Sequence, residues 1–168
     1  MFNLKNEFYL KIILIISFTA LIFAYFVEYI LGHQPCNLCI IERIPYGISI
    51  ILIAMIFIIK KNQKFLTLLL IFTFVFSFTI SIYHYGIEQG FFQESTVCNA
   101  RNFTENITKE DLLRELSKKT ISCKDVTFRI LGLSLTSINI VISLLFIIIF
   151  IKIFIKYEKN KQKSRRIY

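Results

Sequence analysis

Two cysteines stand close together in Pro35-Cys36-Asn37-Leu38-Cys39-Ile40-Ile41-Glu42-Arg43, and an arginine follows the second by four residues. A CxxC pair can be oxidised to a disulfide and reduced again, and its reactive form is the thiolate. A helix starting near Cys39 would put Cys39 and Arg43 at i and i+4, on one face. A thiol at a helix N-terminus beside a guanidinium is favoured as thiolate, so this reading gives the anionic sulfur to Cys39. His33 lies beside the pair as an ordinary loop histidine or a base. Other readings of the same residues are an inert disulfide, zinc, and Arg43 as an interfacial anchor. Zinc needs about four ligands. Cys98 and Cys123 could complete a four-sulfur set, but their wide spacing is unlike a second zinc knuckle, and no metal ligand is assigned.

The elements that position this pair are apolar. Phe8 to Leu31 precedes it and Ile44 to Ile59 follows it. The second run alone is too short for a hydrocarbon layer that needs about 20 residues, so its helix should start near Ile40, leaving Glu42 and Arg43 at the headgroup level. The chain of 168 residues is 55% hydrophobic, with 18 Phe and no Trp, which leaves almost no room for a soluble domain. The predicted fold is all-α, a polytopic membrane four-helix bundle forming a single domain over 1–168. Its spans are expected at about 8–31, 40–59, 65–83 and 131–155. The first run is longer than a signal-peptide core and no small-residue cleavage site follows it. Glu28, near its far end, reads as a snorkelling interfacial residue. Pro35 breaks the chain away from the first helix, and Pro45 falls in the first turns of the second, where a missing N–H does least harm.

The loops are expected at about 32–39 and 84–130. Within the second, Thr108 to Lys119 has an N-cap residue, acids in the first turn and lysines in the last, the pattern of a short amphipathic helix. Leu112, Leu113 and Leu116 would rest it on the membrane or the bundle.

Charge sets the orientation. The termini and the 60–64 turn carry 12 of the 20 basic residues against two acids, Glu7 and Glu158, while the 84–130 loop holds seven of each sign. By the positive-inside rule both termini and the 60–64 turn are cytoplasmic. The +9 net charge is then a topology signal and no nucleic-acid partner is implied. All four cysteines fall in the two outside loops, and an even number on one face suggests an oxidising compartment. Thiol–disulfide exchange between the loops would carry two electrons. Four cysteines allow three pairings, which the residues alone leave open.

Three stretches together resemble the bacterial disulfide bond formation protein B (DsbB) family. They are Pro-Cys-x-x-Cys-x-x-Glu-Arg at 35–43, Ser81-Ile82-Tyr83-His84-Tyr85-Gly86-Ile87-Glu88, and Phe128-Arg129-Ile130-Leu131-Gly132-Leu133-Ser134. The third carries Phe128 where the family has Trp, which touches partner docking. The resemblance implies a multi-pass enzyme of the bacterial inner membrane. It would reoxidise a periplasmic DsbA-like thioredoxin-fold oxidase and reduce a membrane quinone, ubiquinone or menaquinone. It makes Cys36, Cys39, Cys98 and Cys123 catalytic. Cys98 takes the partner's thiolate with Cys123 as its mate, and a Cys36–Cys123 bridge links the loops. Cys39, Arg43 and His84 face the quinone; Glu88 caps or pairs with a neighbour. The alternative is a non-enzymatic four-helix membrane protein with two structural disulfides. A vitamin K epoxide reductase-like enzyme is disfavoured, because its active CxxC is expected beside the last helix.

Overall fold

The computed structural model describes residues 4–59, 62–93, 98, 123–124, 129–130 and 132–165. Four helices dominate: α1 (Leu4–Tyr29), α2 (Asn37–Ile59), α3 (Gln63–Glu88) and α4 (Leu135–Arg165). Before α4 a small antiparallel pair, β1 (Arg129–Ile130) and β2 (Leu133–Ser134), sets Arg129 opposite Ser134 and Ile130 opposite Leu133. Gly132 turns this hairpin at a φ of 84°, in the left-handed region. The predicted amphipathic helix at 108–119 and Phe128 lie outside the described residues.

Each helix contains a stretch long and apolar enough to cross a bilayer: Glu7–Tyr29, Asn37–Ile59, Gln63–Glu88 and Leu135–Lys159. The fold is thus the expected four-helix membrane bundle. Neighbours in sequence pack side by side, α1 on α2, α2 on α3 and α3 on α4, while α1 and α4 touch only sparingly. In hydrocarbon, close helix packing replaces the hydrophobic effect as the cohesive force. The core is accordingly centred on a ring cluster. Phe74 meets Tyr46 and Phe146 edge-on, with centroids 5.9 and 4.9 Å away, and stacks on Phe150 at 5.7 Å. Small hydroxyls tie the helices at close approaches: Ser49 to Ser17 at 3.1 Å and Ser77 to Ser143 at 3.2 Å. Large apolar side chains such as Phe18, Phe72, Phe76 and Ile58 point outward, as a lipid-facing surface requires.

The helix ends differ from the sequence expectation in ways that matter. α2 starts at Asn37, three residues before Ile40, because Cys36 caps it. Pro45 is therefore interior to α2, fully buried, and its missing N–H leaves the Ile41 carbonyl without the usual helical donor. Glu42 is correspondingly buried within the bundle. α3 runs past Tyr83 to Glu88. It ends in a Schellman turn: Gly90 has a φ of 79°, its N–H reaches the Ile87 carbonyl at 3.0 Å, and the Phe91 N–H reaches Gly86 at 2.8 Å. Residues 133–134, expected within the last helix, are strand and pair with 129–130 of the preceding loop, so α4 starts at Leu135 and continues to Arg165.

Candidate active site

The site is built at the end of the bundle where α1 and α3 finish and α2 and α4 begin. Gly32, at a φ of 72°, turns the chain out of α1 toward Pro35. Cys36 then takes the N-cap position of α2. Its carbonyl accepts the Ile40 N–H at 3.2 Å, and its sulfur accepts the Cys39 N–H at 3.3 Å. A side-chain acceptor on the N–H three residues on is the capping geometry, with sulfur in place of a hydroxyl oxygen. The positive end of the helix dipole therefore faces Cys36. Cys36 and Cys39 are free thiols with their sulfurs 2.7 Å apart. The hydrogen bond from the Cys39 thiol is the main influence pulling the Cys36 thiol from 9.0 down to about 5. Burial opposes it, and the hydrogen bond and charge of His84 assist. The anionic sulfur expected at Cys39 is thus better supported at Cys36, because the cap lies one helical turn earlier than the sequence pattern suggested.

His84 projects from the inward face of α3, which also carries Ser77, Ser81 and Glu88. It is 2% exposed, so both ring nitrogens need partners. Nε2 lies 3.5 Å from the Cys36 sulfur. Nδ1 lies 3.1 Å from Glu42 Oε1 and 3.2 Å from the Thr136 hydroxyl. Thr136 gives its single hydrogen to Glu88 Oε1 at 2.6 Å, so toward the ring its oxygen accepts. An ionised Glu42 likewise only accepts. Nδ1 therefore carries a hydrogen, and the state of Nε2 is set by what faces it. Glu88 Oε1 stands 3.8 Å from Nε2, while Glu88 Oε2 is buried without a hydrogen-bond partner among the described residues.

Arg43 finds its partners on α1. Its guanidinium pairs with Glu28 of α1 and lies over the Tyr25 ring, 5.2 Å from the centroid. Glu28 is thus an ion-pair partner, more than a snorkelling residue. Deeper in the bundle, the Tyr46 hydroxyl donates to Asn139 Oδ1, and Asn139 Nδ2 donates to Ser81 at 2.7 Å.

The second cysteine pair reaches the same place. Cys98 and Cys123 form a disulfide with Cα atoms 5.6 Å apart. It is buried in one cluster with Cys36, Leu38 and Ile87. A cavity of about 490 Å³ lies between α1 and α4. Cys36, Cys39, Arg43, His84, Glu88 and Cys123 line it, as do His33 and apolar side chains such as Ile15, Ile16, Phe23 and Ile142. Of the residues singled out in the sequence, Cys36, Cys39, Arg43, His84 and Cys123 share this cavity, and Cys98 joins it through its disulfide. Glu42 and Thr136 were not foreseen. A signal for Glu42 exists: on α2 it shares the buried face with Tyr46, Ser49 and Ile53. Thr136 carries no comparable signal.

A four-helix membrane bundle with a dithiol and a disulfide at one cavity defines a protein of thiol–disulfide exchange. The sequence model of the family described as Disulfide bond formation protein DsbB matches residues 6–153. An uncharacterised protein of Rickettsia prowazekii (strain Madrid E), RP370, is 30% identical over 138 residues, which cover 81% of this chain and 80% of that one. The chain belongs to the DsbB family, and so to the membrane thiol oxidoreductases that form disulfide bonds.

Proposed function

We propose that the protein reoxidises a periplasmic DsbA-like thioredoxin-fold oxidase and delivers the electrons to ubiquinone or menaquinone. The observation that carries this reading is the single cavity lined by Cys36, Cys39, Arg43, His84 and Cys123. In the exchange, a partner thiolate attacks Cys98, breaking the Cys98–Cys123 bond and freeing Cys123. The partner's second thiolate then attacks its own half of the mixed disulfide and leaves oxidised, with Cys98 released. Cys123 attacks an oxidised Cys36–Cys39 pair at Cys36, freeing Cys39, and Cys98 displaces Cys36 to restore the Cys98–Cys123 bond. Two electrons now rest on Cys36 and Cys39 as thiols. Exchange requires both cysteine pairs at one place, and the burial of the Cys98–Cys123 pair in one cluster with Cys36 supports it over two separate staples.

The cavity fits a quinone. Its volume is in the range of small-molecule sites, its walls are largely apolar, and Arg43 lines it as a donor that a quinone carbonyl oxygen can accept from. Cys39, Arg43 and His84 would hold the head, with the isoleucines of α1 and α4 against ring and tail. A bound quinone supplies a two-electron, two-proton acceptor. The protein's residues do the rest. The α2 N-terminus and His84 stabilise the Cys36 thiolate. Arg43, oriented by Glu28, offers positive charge to an oxygen of the head. Lipid-facing walls exclude water. In this reading the chain is one domain of the bacterial inner membrane, with cytoplasmic termini and both cysteine loops periplasmic.

The test is anaerobic quinone reduction by the purified protein in detergent, driven by a reduced DsbA-like protein. Wild type should reduce quinone, and Cys39→Ser and Cys98→Ser should not. A folded wild-type protein that reduces neither ubiquinone nor menaquinone would refute the proposal.

A further inference from the structure

The donor atoms of Cys36, Cys39 and His84 all lie within 4.8 Å of one another. Two sulfurs and an imidazole nitrogen converging on one point are the donor set of a zinc-type cation. The surroundings add what a ligating histidine needs. Metal-bound imidazoles usually hand their other N–H to a carboxylate, which fixes the tautomer and aims the free lone pair. Here Glu42 Oε1 and the Thr136 oxygen both take the hydrogen of His84 Nδ1, at 3.1 and 3.2 Å. Nε2 is left facing the Cys36 sulfur at 3.5 Å. The fourth side of the cluster opens on the cavity, where water can complete a tetrahedron.

We propose that the reduced protein binds one Zn²⁺-type cation through Cys36 Sγ, Cys39 Sγ and His84 Nε2, and that the bound cation arrests the dithiol. Tetrahedral Zn–S bonds of about 2.3 Å set the sulfurs roughly 3.8 Å apart. They stand at 2.7 Å now, so they must part by about 1 Å, a small side-chain rotation. The charges balance. The cation takes both sulfurs as thiolates and a neutral imidazole, and two protons leave for solvent. No electrons move. The sulfur lone pairs that would attack or be oxidised are committed to the metal, and oxidation to the disulfide has to eject it. The oxidised protein offers no thiolate and should not bind. Cation binding does not depend on the quinone reaction; only its consequence for turnover rests on that reading.

The probe is Co²⁺, which reports tetrahedral thiolate coordination by its visible bands and near-ultraviolet charge-transfer absorption. The full chain in detergent is reduced and titrated anaerobically, then back-titrated with Zn²⁺. Wild type should bind one Co²⁺ per chain and lose the bands stoichiometrically to Zn²⁺. A Cys98→Ala/Cys123→Ala variant should do the same. Cys36→Ser and His84→Gln should each bind at least about tenfold more weakly, and Glu42→Gln about 10–100-fold more weakly. Bands absent from the wild type overturn the proposal. So do bands that survive unchanged in Cys36→Ser or His84→Gln, or that vanish in the Cys98→Ala/Cys123→Ala variant. Because this readout is binding, a protein that fails to reduce quinone can still pass it, and the two proposals fail separately.

Discussion

Replacing His84 by glutamine keeps a polar side chain on α3 but takes the imidazole away from Cys36. In the folded protein the Cys36 sulfur has three neighbours that favour its anion: the Cys39 thiol at 2.7 Å, the Cys39 N–H at 3.3 Å and His84 Nε2 at 3.5 Å. Together they outweigh burial and hold the thiol at about 5, against the ordinary thiol value of 9.0. Glu42 and Glu88 face the same ring and stay in place in the variant. Loss of a close cationic hydrogen-bond partner moves a midpoint by about one to three pH units, which should place the variant's at roughly 6–8. At pH 6 the thiolate fraction would then fall from about nine-tenths to half or less, each unit corresponding to about 1.4 kcal/mol. The sign follows from the depressed midpoint: reactivity is full above it and is lost as pH falls through it. The assay is alkylation of the reduced protein by a small iodoacetamide between pH 4 and 8, with Cys36 followed by peptide mass. Wild type should keep reacting down to about pH 5, while His84→Gln should lose reactivity at higher pH. Superimposable profiles would refute the coupling between Cys36 and His84, and with it the assignment of the anionic sulfur.

Arg43→Ala should leave that alkylation profile in place, because the guanidinium pairs with Glu28 and Tyr25 and not with a sulfur; a shift comparable to that of His84→Gln would contradict this. Thr136→Val removes the only hydrogen bond to Glu88 among those described, leaving a buried carboxylate short of donors. It should cost about 1–3 kcal/mol in reversible denaturant unfolding. Gly90→Ala forces a side chain into the left-handed region at the end of α3. It should cost about 1–2 kcal/mol in the same assay, and a neutral result would show that the turn reorganises freely.

The bundle was legible because bilayer thickness imposes a length that a run of apolar residues either meets or does not. The CxxC was legible because its members are neighbours in the chain. The helix ends were harder. His84 and Glu88 read as the start of a polar loop, since polarity after an apolar run ordinarily marks the membrane surface. Their spacing from Ser77 and Ser81 keeps them on the same inward face of α3, and only tertiary packing tells a polar helix face from a loop. The Glu28–Arg43 pair spans a turn between two helices, so neither residue's local pattern announces the other. The same holds for Thr136, 52 residues from the ring it contacts.

The charged groups around the cavity fall into two sets with different jobs. Arg43 and Glu28 join α2 to α1, and His84 with Glu42, Glu88 and Thr136 joins α2 to α3 and α4. In a low-dielectric site an unpaired ion is costly; Arg43 is held by Glu28, and His84 stands between Glu42 and Glu88. Only the second set touches sulfur. The help that Cys36 receives from outside α2 therefore comes from α3 through His84, whereas Arg43 is oriented from α1.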